Sequence, residues 1–229
     1  MSLSDNFCQF FDKVNSRQFV FYRGSGPWKI HESDKSAKVT DLEISGDNLQ
    51  FVGFGQKLTK NMSCLTINRS NLFKDKECDG IAFVKKAEKE DLLFVEIKSK
   101  YDSNPILCAV LQMCISFLKM HTMLSLCSNY ILDNIDICFL IVTGKAENDN
   151  EEAKVKVYAI QAEQSEKSSI SGKLLRDLLY EGKSKITIGD LLKDNKMYPY
   201  LHNDIKSKCI KVQLVTTSDS ISAKALYVY

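Results

Sequence analysis

The stretch that decides the fold is Cys78-Asp79-Gly80-Ile81-Ala82-Phe83-Val84-Lys85-Lys86-Ala87-Glu88-Lys89-Glu90-Asp91-Leu92-Leu93-Phe94-Val95-Glu96-Ile97-Lys98. Two apolar runs, 79–86 and 91–98, flank the polar segment Ala87 to Glu90, which is the pattern of a β-hairpin with a four-residue loop. Residues two apart on a strand point the same way, so Glu96 and Lys98 project from one face and Ile97 from the other. A loop at 87–90 sets Asp79 opposite Lys98, Ile81 opposite Glu96 and Phe83 opposite Phe94. Asp79, Glu96 and Lys98 then share a face, whereas a slip of one residue would send Asp79 to the other side.

Downstream, Asn104-Pro105 supplies a cap and a first-turn proline for a helix reaching about Cys127, apolar around most of its circumference. Its run from Ile106 to Leu126 is broken by Gln112, Lys119 and His121, so it reads as a core helix rather than a bilayer span, and no membrane association is expected. Gln112, Ser116 and Lys119 form one polar stripe, which either lines a cleft or faces solvent. Ile135 to Thr143 has the continuous apolar character of a strand covered on both faces, and Val155 to Ile160 is read as a further strand. Upstream, Asn6 to Val14 forms a short amphipathic helix, followed by β-prone runs at Phe19–Tyr22, Val39–Ile44, Leu49–Phe54 and Cys64–Ile67. After Gln161 the pattern predicts helices at Gly172–Tyr180 and Ile188–Lys193 and strands at Cys209–Thr216 and Ala223–Tyr229.

No repeat, low-complexity tract or Pro/Ser linker divides the chain, so one domain is expected over 1–229. The expected fold class is α/β, with a central mixed β-sheet flanked by helices over about 64–160, a β-rich N-terminal addition and an α/β C-terminal addition. A formal charge of +2 excludes nucleic-acid coating by bulk charge, so any such binding must be local. Eight cysteines with no leader-like apolar segment ahead of them suggest reduced thiols and a cytoplasmic protein. They form no CxxC pair and the histidines are scattered, which argues against structural zinc. Gly53-Phe54-Gly55 and Ser171-Gly172-Lys173 each lack the glycines that a phosphate-binding loop needs.

Two carboxylates set among Ile81, Phe83, Phe94 and Val95 are costly to bury unless something compensates their charge. A hard divalent cation with oxygen ligands does so, and Mg2+ or Mn2+ fits that donor set. Asp79, a spacer of 16 residues, then Glu96-Ile97-Lys98 on the second strand of a hairpin with a helix behind it resembles the PD-(D/E)xK, or restriction-endonuclease-like, superfamily. The resemblance covers roughly 79–143. It implies a metal held by Asp79, Glu96 and the Ile97 carbonyl, a catalytic Lys98, and a glutamine on the following helix at Gln112. Cys78 stands where that family has proline, and Ser116 where some members have tyrosine. A further upstream acid is often present in the family, and Glu43 is the nearest match for it.

The function the resemblance implies is metal-dependent hydrolysis of phosphodiester bonds in DNA or RNA; Lys100 and Lys85 are candidates for phosphate contacts by their positive charge, and Gln112 for the cleft. The rival expectation is an inactive member of the same fold that binds nucleic acid or a protein. The sequence does not separate DNA from RNA, and a homodimer is compatible with it.

Overall fold

The hairpin forms and lies near the middle of the main sheet, but its connection is shorter than expected. In the computed structural model, residues 1–14, 22–31, 39–55, 58, 77–87, 89–165, 169–217 and 222–226 are described. In chain order the elements are α1 (Leu3–Val14), β1 (Tyr22–Gly24), β2 (Trp28–His31), β3 (Asp41–Ser45), β4 (Gln50–Gly55), β5 (Gly80–Lys86) and β6 (Lys89–Lys98). There follow α2 (Ser103–Leu124), β7 (Ile137–Gly144), α3 (Asp149–Gln164), α4 (Ser169–Glu181), β8 (Lys183–Thr187), α5 (Ile188–Leu192), α6 (Asn203–Ser207), β9 (Cys209–Thr217) and β10 (Ser222–Leu226).

Seven strands make one mixed sheet in the order β1-β4-β5-β6-β7-β9-β8, and three make a second in the order β10-β3-β2. In the larger sheet β6, β7 and β9 are parallel and their outer neighbours antiparallel. Its two faces bury different partners. Ile81, Phe83, Phe94, Phe139 and Ile141 pack with residues of the helices, notably Phe7, Phe117 and Leu175. Ala82, Val84, Leu93, Val95 and Leu140 pack instead with Trp28, Ile30, Leu42 and Ile44 of the small sheet. Burial on both faces explains why β6 and β7 read as nearly unbroken apolar runs.

Several expectations need correction. Lys86 pairs with Lys89 and Gly80 with Val95, so the connection is residues 87–88 and the register lies two residues from that expected. A shift of two leaves every side chain on its face. The expected strand at Val155–Ile160 is instead part of α3. Asn148 caps that helix by accepting from the Glu151 amide at 3.0 Å, and its buried residues Val155, Ala159 and Ala162 recur at helical spacing. The N-cap of α2 is Asp102, whose Oδ1 accepts from the Ser103 amide at 2.6 Å, two residues ahead of the expected cap. The strands β2 and β8 were not foreseen. The run Cys64–Ile67 and most of Phe19–Tyr22 lie outside the described residues. By length and composition α2 could cross a membrane, but 67% of its most apolar window is buried inside the protein.

Candidate functional site

Continuing the β5–β6 register one step past Gly80–Val95 sets Asp79 opposite Glu96. The Asp79 amide donates to the Val95 carbonyl at 2.9 Å, and its carboxylate Oδ2 accepts from the Ile97 amide at 2.7 Å. Two places along β6, Lys98 extends over the same face. Its Nζ donates to Glu96 Oε1 at 2.5 Å and to Gln112 Oε1 at 2.6 Å. Asp79 and Glu96 are only 6% and 3% exposed, while the Lys98 side chain keeps 19% and is the more accessible member of the group.

The α2 stripe turns inward. Besides Gln112 on Lys98, Ser116 Oγ accepts from the Cys78 amide at 2.9 Å, and Lys119 Nζ donates to Glu77 at 2.5 Å. Ser116 and Lys119 are buried, which overturns the solvent-face reading of this stripe. One helix row therefore grips residues 77, 78 and 98 in turn. Cys78 is buried, and burial pushes its thiol well above the usual range; Ser116 opposes the shift and the Glu96 and Asp79 carboxylates add to it. It is a packing residue and not a nucleophile.

The other expected site residues divide. Lys100 follows Lys98 by two residues and lines a cleft of about 480 Å³ beyond the C-terminal ends of β6 and β7, whose lining includes none of Asp79, Glu96, Lys98 and Gln112. Lys85 does not join it. It sits about 20 Å along β5, near the turn, where it donates to Ser2 Oγ at 2.7 Å and pairs with Glu90 at 3.2 Å. Glu43 is on β3 of the small sheet, whose inward residues are Leu42 and Ile44, so it faces away from the main sheet and pairs with Lys29 at 2.9 Å. The place of the small sheet, on the face of the main sheet opposite the helices, excludes it from the Asp79 face.

Sequence reasoning missed two features here. Glu77, the partner of Lys119, stands two residues before Asp79 and is a buried acid whose spacing could have drawn notice. Thr143 pairs with Lys98 in the parallel register, is fully buried, and its hydroxyl has no hydrogen-bond partner among the described residues. A polar residue closing an apolar strand was the available signal.

As a cation site, the group offers the oxygen donors that Mg2+ or Mn2+ prefers. Asp79 and Glu96 are two buried carboxylates, and Mg2+ commonly needs only one or two protein carboxylates because it retains waters. Among the described residues no cluster of three or more His, Cys, Asp or Glu is assembled. Comparison with protein-family models, with characterised proteins and with solved structures gave no match.

Proposed function

We propose that this chain is a metal-dependent nuclease-like protein with a restriction-endonuclease-like core, hydrolysing phosphodiester bonds in DNA or RNA in the cytoplasm. The observation that carries the reading is the placement of Asp79, Glu96 and Lys98 on one sheet face, with Gln112 of α2 holding the Lys98 ammonium. Asp79, Glu96 and the Ile97 carbonyl would hold Mg2+ or Mn2+. A cation held there would supply polarisation of a phosphoryl oxygen and a lowered pKa for a bound water.

The chain's own residues do the rest. Gln112 and Glu96 fix the Lys98 rotamer, so the ammonium meets the negative charge that builds on the phosphoryl oxygens without reorganising at the moment of reaction. The Ile97 amide orients the Asp79 carboxylate. The close Lys98–Glu96 pair favours a second reading, in which these residues hold the hairpin and the chain binds nucleic acid or protein without turnover.

The test is cleavage of single- and double-stranded DNA and RNA with Mg2+ or with chelator, for the parent, Lys98→Ala and Asp79→Asn. Turnover that needs the metal and falls on the order of 100- to 1,000-fold in the variants supports hydrolysis. Equal turnover in all three proteins belongs to a contaminant and sinks the reading.

A further inference from the structure

The cleft beyond β6 and β7 has walls contributed by the segment following Lys98 and by the segment from Lys145 into α3. Lys100, Lys145 and Lys154 line the cleft and make no ion pair with a described residue. Three carboxylates, Asp102, Glu147 and Glu151, line it as well, so the lining is balanced in formal charge. Asp102 caps α2, and Glu151 accepts from the Glu147 amide at 3.1 Å. The three lysines share this lining with Tyr101, which is half-buried.

Building on the nuclease-like reading above, we propose that this cleft takes single-stranded nucleic acid, with Tyr101 stacking on a base and Lys100, Lys145 and Lys154 meeting successive phosphates. Unpaired bases offer a π-face to an aromatic side chain in any sequence, whereas a duplex keeps its bases stacked inside.

The experiment is fluorescence anisotropy in chelator, with a labelled single-stranded DNA, the same sequence as RNA, and the DNA duplex. The expected result is single-strand binding at least about 10-fold tighter than duplex binding, weakened about 10-fold by Tyr101→Ala and restored by Tyr101→Phe. Three phosphate contacts predict a slope of log K against log salt near −2 for the parent, flattened in Lys145→Ala and Lys154→Ala. Duplex binding as tight as single-strand binding, no binding to either, or indifference to Tyr101→Ala overturns the proposal. Its fate is separable from that of turnover: cleavage that ignores strandedness and Tyr101 refutes this cleft alone, and Tyr101-dependent binding without cleavage refutes only hydrolysis.

Discussion

Asp136 stands at the entrance to β7 and accepts from a lysine of each parallel neighbour, Lys211 of β9 at 2.8 Å and Lys89 of β6 at 2.7 Å. These hydrogen bonds, Lys211 first, hold its carboxyl at a pKa of about 2, against an ordinary 3.8. A lowered pKa in the folded state means that the contribution is complete above about pH 4 and is lost as pH falls through about 2. Melting temperature followed from pH 7 to pH 2 should therefore be lower for Asp136→Asn than for the parent near neutrality, with the two curves converging by pH 2; parallel curves would exclude the linkage. The site itself was legible at this scale because side-chain alternation survives a two-residue change of register, which left Asp79, Glu96 and Lys98 together. The turn was not legible. Ala87 has φ 52°, a left-handed conformation that Gly or Asn normally signals, and Ala-Glu carries no such mark.

Helix α2 works as a clamp whose three polar residues hold both strands of the motif. Lys119 and Glu77 are both buried, at 1% and 8% side-chain exposure, so removing one strands the other's charge. Lys119→Met alone should cost about 3–5 kcal/mol in chemical denaturation, and adding Glu77→Gln should recover a large part of it. If the double variant is as unstable as the single one, the pair is not the source of the loss. The helix was readable from its apolar circumference, but its polar row gave no sign of direction, since a buried and a solvated stripe have the same spacing. Helix α3 misled for a related reason. Val155-Lys156-Val157 alternates as a strand does, while the evidence for a helix lay outside that window, in the Asn148 cap and the acidic first turn of Asp149, Glu151 and Glu152.

Across the whole molecule, the helices cover one face of the main sheet and the small sheet covers the other. The small sheet seats itself where glycines leave room. A Cβ on Gly53 would come within 2.3 Å of the Trp28 indole nitrogen, and one on Gly80 within 2.6 Å of Ile30 Cδ1. Gly53→Ala should therefore destabilise the protein by about 1–3 kcal/mol, and the emission of the single tryptophan should shift to the red; unchanged emission would mean that the sheets are not seated through Trp28. The α/β class and the β-rich N-terminal region could be read from the sequence because their signals are local. The small sheet could not, because β3 takes one neighbour from β2 and the other from β10, and pairing across such a separation leaves no local pattern. That arrangement sets a clock on synthesis. Asp41 of β3 meets Ser222 of β10 about 180 residues later, so at roughly 5–20 residues per second one edge of β3 stays open for about 10–35 s on the ribosome. During that interval its backbone donors and acceptors are exposed to any passing strand, and the nascent chain is most prone there to pair with the wrong partner.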